Sequence, residues 1–514
     1  MQEKNIKNKL KANNLSLFTK DYFNFMLFNT QFFYFHEHIT LPHKRVWPFS
    51  LLKCHWLLIQ KNGYFFVSLA LAKFNTMKIK EESGSALITV LIFILIATLS
   101  ITVMLQFNRR HYIQISNKGY EQQTWFNSKS IVHRLLSESP GFLDPVIQTG
   151  SNVSGSTTLF ANDVTSYKAE PWGLLIKISV SSRIKSVVME RAFLVGKKED
   201  DNTDKAIVLG NRQNPLIVTG STDIEGDALV GPNGIRAGVL KGRRYQADNL
   251  IEGQIFNEIR DNFPVFRSFG DYSGFVQKIY QKPEMNHWYY FLNGGRERID
   301  QPHIEKWKEE GIVSIVGPGE LEASSDITFE NLRLLNLIRI NSKDSIAFGE
   351  NSSSEQIVVK AKSISFYNTK EHMGQFIASR RIDAENSNFN YPSILAVINN
   401  SALSEPANLN IRGNSKVNGS VFLHSGKMRL TEIEKILIES DSEVNGLVYT
   451  NQYSEVYGKI NGCIMTHNFY FYSSPTTYIN WINGAVISRS AYNKNLCIPA
   501  GLNLDSGYQI IEEL

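Results

Sequence analysis

From Ser85 to Leu105 the chain runs 21 residues without a charged side chain, and thirteen of them are Leu, Ile, Val or Phe. At about 1.5 Å per residue a helix of that length covers about 30 Å, the thickness of a bilayer's hydrocarbon core. Each of those apolar residues contributes about −0.3 to −0.6 kcal/mol on insertion, which together outweighs the cost of Ser85, Thr89, Thr98, Ser100 and Thr102. A buried core helix is the alternative, but uninterrupted apolar runs of this length are rare in globular cores. The span predicts one membrane crossing.

The 76 residues before Met77 have a different character. They hold ten Lys and Arg against three Asp and Glu, whereas the whole chain is only +5, so all of the basic excess lies upstream. Sixteen aromatics crowd the same segment, in runs such as FNTQFFYFHEH that follow neither helical nor strand periodicity. This reading makes 1–76 a doubtful upstream extension and Met77 the true start. The alternative is a basic cytoplasmic extension with a second hydrophobic segment at 47–72, which Lys53, His55 and Lys61 interrupt.

From Met77 the leader MKIKEESG (77–84) carries Lys78 and Lys80, ends in Gly84, and is followed at once by SALITVLIFILIATLSITVML. An ordinary secretory signal has its cut site after a shorter apolar region. This order resembles the class III signal of type IV prepilins, and SALITVL is most similar to minor pilins and large pseudopilins. The resemblance implies cleavage between Gly84 and Ser85 by a prepilin peptidase, with the span kept as anchor and assembly helix. Two positions depart from the family pattern: Ser85 stands where Phe or Met is usual, and Thr89 where most pilins carry Glu. The implied partners are the lipid bilayer, the peptidase and other pilin-like subunits, at an inner membrane with the bulk of the chain outside the cytoplasm.

No proline interrupts 106–139, and Trp125, Val132, Leu135 and Leu136 recur at helical spacing up to Pro140-Gly141. The helix is therefore expected to continue as an amphipathic stem. WGLLIKISVSS (172–182) and IKSVVMERAFLVG (184–196) read as a hairpin turning near Ser182-Arg183, within a small α+β pilin-like region at 140–198.

Beyond the polar linker 196–205 come short strands broken by Gly, Asn, Asp and Ser. SKVNGSVFL (415–423), SEVNGLVYT (442–450), GKINGCIMT (458–466) and NWINGAVIS (480–488) share an apolar residue, Asn-Gly, and further apolar positions. Glycine at a fixed place suits a corner or a positive φ, and the repeats predict an irregular β-solenoid. Asn-Gly hairpins are the competing reading. The late rungs, 411–490, resemble bactofilin-like β-helices. The expected layout is first solenoid strands at 206–238, a mixed helical insertion at 239–310 (GQIFNEIRDNFPVFRSF and QPHIEKWKEEG), solenoid at 311–490, and a cap or tail at 491–514. The fold class is mainly β with a long N-terminal transmembrane helix.

Sites of chemistry are sparse. The 11 histidines are scattered, and neither His-Glu-x-x-His, Cys-x-x-Cys nor a phosphate-binding glycine loop occurs. No cofactor or metal is expected. Asp223, Glu225 and Asp227 would share one side of a strand, the best candidate for a two-carboxylate glycosidase, but alternate carboxylates are more often a solvated face or at most a calcium site. Lys241, Arg243 and Arg244 lack the aromatic platform of a nucleic-acid binder, and none is expected. Cys463 and Cys497 are the one pair available to an exported domain for a disulfide, with a buried small residue as the alternative for Cys463; Cys54 lies in the upstream segment. The chain reads as a non-enzymatic envelope protein, a low-copy minor pilin or pseudopilin-like subunit. The other reading is a stand-alone membrane-anchored β-helix that binds or hydrolyses surface polysaccharide.

Overall fold

The computed structural model describes residues 56–61, 64–69 and 85–514, apart from 139, 160–162, 212, 259–262, 268–282, 287, 401–404, 427–432 and 493. The chain is mainly β with one long apolar helix and few others. It divides into two units, 1–100 and 101–514. In the first, Trp56–Lys61 and Tyr64–Leu69 pair as an antiparallel hairpin. Both strands fall within the alternative hydrophobic segment at 47–72, of which 47–55, 62–63 and 70–72 lie outside the described residues. Cys54 and the leader 77–84, including Gly84, lie outside the described residues.

The helix runs unbroken over Ser85–Glu138. Every side chain from Leu87 to Ile115 is exposed. Thr98 and Ser100 return their hydroxyls to the carbonyls of Ile94 and Ile96 at 2.8 Å, so neither presents an unpaired donor to its surroundings. Further along, Ile131, Val132 and Leu135 become buried, together with the polar Thr124, Asn127 and Ser128. Asn127 donates to the buried carboxylate of Asp163.

Four consecutive strands, Val153–Thr157, Asp163–Trp172, Leu175–Ile184 and Val187–Lys197, form an antiparallel meander. The turn falls at Lys185-Ser186 rather than near Ser182-Arg183. Ile184 is buried and extends its strand, and Lys185 takes the positive φ, 53°, from which its ammonium reaches the Tyr120 hydroxyl at 2.5 Å. The expected tail 491–514 contains the fifth strand: Tyr508–Glu513 closes the sheet antiparallel to Val187–Lys197. Its glutamates hid this role, but Glu513 pairs with Arg191 at 2.5 Å and accepts from Trp125 Nε1 at 3.3 Å.

Parallel strands build the solenoid. Tyr289–Phe291 pairs with Ser314–Val316, then in succession follow Arg333–Leu335, Ser353–Tyr367, Glu371–Glu385, Asn388–Asn399, Lys416–Ser425, Glu443–Val456 and Lys459–Ser473. The stack does not end there. Ile207–Leu209 pairs with Ile464–Thr466, Ala228 with Ile207, and Ile255–Asn257 with Ala228–Val230. The earliest rungs in sequence thus lie beyond the latest ones, and the chain crosses from one end of the solenoid to the other before building back.

The helical insertion expected at 239–310 is corrected in part. Within 253–269, Ile255–Asn257 is a rung, because main-chain pairing to Ala228–Val230 overrides a weak helical propensity; 259–262 and 268–269 lie outside the described residues. Gln301–Glu309 is a helix, with Asp300 Oδ1 accepting the amide of His303 at 3.1 Å, and it buries Ile304 and Trp307 in the solenoid core.

Candidate functional site

The Asn-Gly repeats have a structural cause. Asn418, Asn445 and Asn461 stand in register on adjacent rungs. Asn445 Nδ2 donates to Asn418 Oδ1 at 2.9 Å and Asn461 Nδ2 to Asn445 Oδ1 at 2.6 Å. Gly446 has φ 147°, and a Cβ on it would lie 1.8 Å from the carbonyl oxygen of Gly419, so rung-to-rung approach here requires glycine. The fourth repeat leaves the series: Asn461 stands opposite Ser488, while Asn483 pairs with Thr219 of an early strand.

After each Asn-Gly the residues run apolar because both faces are covered. Val421, Val448 and Ile464 point into the solenoid core, whereas Phe422, Leu447, Tyr449, Cys463 and Met465 belong to a second apolar cluster. That cluster also holds Ile131, Val132 and Leu135 of the helix and Ile176, Ile178, Phe193 and Val195 of the sheet. Polar contacts pin the seam. Gln375 Nε2 donates to the Trp172 carbonyl at 2.8 Å, and Arg339 donates to the Pro171 carbonyl at 2.7 Å with its guanidinium 4.6 Å from the Trp172 ring centroid. Lys177 lies over the same ring and pairs with Glu170 at 2.6 Å. Burial pulls the Lys177 ammonium below its ordinary range; burial opposes ionisation of Glu170 too, but Lys177 and Lys168 hold its carboxyl low. None of these seam residues follows a repeat, so no pattern in the sequence marks them.

Ser85 is the first helical residue, and Thr89 is exposed among the apolar side chains. The three carboxylates are held differently. Asp223 is exposed; Glu225 accepts from Ser488 at 2.6 Å and from Ser490, which hold its carboxyl below the usual range; Asp227 accepts the amide of Gln254 at 2.8 Å. A general acid would need the opposite shift. Among the described residues no group of three His, Cys, Asp or Glu gathers to hold a metal. Cys463 and Cys497 are buried free thiols, each pushed up by burial, and the disulfide expected from the sequence is not formed in this structure. Cys463 instead packs outward from its rung opposite Leu447.

No family model matches the chain, and no curated protein matches it in sequence. Among solved structures, the competence-associated pilin ComZ from Thermus thermophilus aligns over 71% of this chain and 87% of that one, at 8% identity and a TM-score of 0.19. At that score the likeness carries no argument about fold or role. The helix itself is long and apolar enough to cross a membrane.

Proposed function

We propose that this chain is a membrane-anchored structural subunit of the minor pilin or pseudopilin type, trimmed after Gly84 and presenting its β-rich region outside the cytoplasm. One observation carries the reading: a single helix leaves its charge-free run exposed from Leu87 to Leu105 and, further along, buries Asn127, Ile131, Val132 and Leu135 against an antiparallel sheet. The partners follow as lipid, a prepilin peptidase and other pilin-like subunits, and no catalysis is assigned to the chain.

Thr89 sets its place among those subunits. In a pilin filament the fifth-position carboxylate neutralises a neighbour's N-terminal amine in a low-dielectric bundle, where an unpaired charge is costly. A threonine cannot do so, which suits a subunit at a filament end, and the bulk of the solenoid points the same way. Quantifying this chain against the most abundant pilin-like protein in purified filaments tests the reading. A small fraction confined to one end is expected; near-equal amounts along the shaft would contradict it.

A further inference from the structure

One side of the late rungs carries aromatic rings that belong to neither apolar core. They centre on Lys459–Ser473, which after its solenoid segment pairs antiparallel with Thr476–Ile479, placing Phe471 opposite Tyr478 and Tyr472 opposite Thr477. Ring contacts run without interruption from Tyr457 to Phe471 (6.1 Å), Phe471 to Tyr478 (5.9 Å) and Tyr478 to Trp481 (4.6 Å). Tyr457, Tyr478 and Trp481 are half-buried, and Tyr472 at the hairpin tip is 50% exposed. At one end the strip meets an ion pair. The Tyr457 hydroxyl donates to Glu455 Oε1 at 2.7 Å, Glu455 pairs with Lys435, and the Lys435 ammonium lies 4.9 Å from the centroid of Tyr470.

We propose that this strip is a glycan-binding surface, the pyranose rings lying on Tyr457, Tyr478 and Trp481 with a hydroxyl accepting from the partly exposed Lys435 ammonium. Aromatic faces pack against the C–H faces of sugars, while an ammonium carries three N–H donors and can give one to a sugar hydroxyl besides the one it gives Glu455. An apolar helix or lipid tail on the same surface would desolvate the partly exposed Lys435 ammonium without supplying a new partner. The rings follow one another from Tyr457, just past the end of its strand, through the Phe471–Tyr478 pair to Trp481, an elongated row that fits a chain of sugars better than a single one. Glycan capture gives the outward region of the proposed subunit its adhesive role; it rests on that reading only for its biological setting, since binding is measured on purified protein.

The test is tryptophan fluorescence and calorimetry on the full chain in detergent, titrated separately with chitohexaose, cellohexaose, maltohexaose and hexagalacturonate. Saturable binding of at least one is expected, weakened about tenfold or more by Tyr478→Ala and unchanged by Trp288→Ala, an exposed aromatic outside the strip. Tyr457→Ala removes a second ring at a position outside any strand and should weaken binding likewise, so it decides the matter if Tyr478→Ala misfolds. Absence of binding to all four sugars, or binding indifferent to both strip variants, overturns the proposal. So does a strip variant that dissolves a self-associated form while leaving sugar binding unchanged. None of these outcomes bears on trimming or filament assembly.

Discussion

The side-chain Oε1 of Gln375 accepts the amide of Leu174 at 2.6 Å, so a solenoid residue completes the turn between two strands of the antiparallel sheet. Its Nε2 donates to the Trp172 carbonyl on the other side of Gly173, and all three residues are buried. Gln375→Leu would remove the side-chain acceptor of the buried Leu174 amide, at about 1–3 kcal/mol. The expected result is faster proteolytic release of the sheet region while the solenoid stays resistant. Unchanged cleavage would mean that apolar packing alone holds the seam.

Gly446 and Gly484 come from similar-looking repeats but should respond differently to alanine. At Gly446 the new Cβ meets the backbone of the neighbouring rung; at Gly484 the nearest atom is Ser221 Oγ at 3.8 Å, and only the φ of 76° resists. Gly446→Ala should therefore cost several kcal/mol, and Gly484→Ala about 1–2 kcal/mol. Urea unfolding of the two variants checks the order.

His372 lies among Phe348, Phe366, Phe376 and Phe389, with Ser354 Oγ 2.8 Å from its Nδ1, and burial pushes its pKa down to about 3. A depressed folded pKa means that the unfolded chain takes up the proton first. Its stabilising contribution is thus present above the unfolded value of about 6.5 and lost as pH falls toward about 3, at up to about 1.4 kcal/mol per pH unit. His424, pushed down to about 4 by burial, acts in the same direction. His372→Phe should flatten the acid limb of a stability–pH curve, and an unchanged limb would contradict the assignment.

Cys463 and Cys497 should behave as unreactive thiols in the folded protein, since thiolate is the reactive form and burial suppresses it. Labelling with a maleimide is expected to be slow when native and rapid for both after denaturation without reductant. Labelling that requires reductant would establish the bridge instead.

How much of this was legible in the sequence follows from how local each cause is. The apolar run at 85–105 and the stem ending in Leu135 carry their own periodicity, and the Asn-Gly repeats carry the ladder of Asn418, Asn445 and Asn461. The fourth repeat misled because the dipeptide reports a local backbone shape and says nothing of register; only pairing places Asn483 beside Thr219. The same limit hid the return of Ile207–Leu209 to Ile464–Thr466, and of Tyr508–Glu513 to the first sheet. Seam residues such as Gln375 and Arg339 are polar groups satisfied by distant backbone, a property that no spacing encodes. Of the three carboxylates that alternation put on one strand, Asp223 and Glu225 lie on it and Asp227 falls past its end, while Ser488 and Ser490 reach Glu225 from far along the chain.

If the helix is the anchor of a processed subunit, as proposed, N-terminal sequencing of the protein extracted from membranes containing an active prepilin peptidase gives a mature chain beginning at Ser85. A chain that retains Gly84 or residues before it rules out that processing.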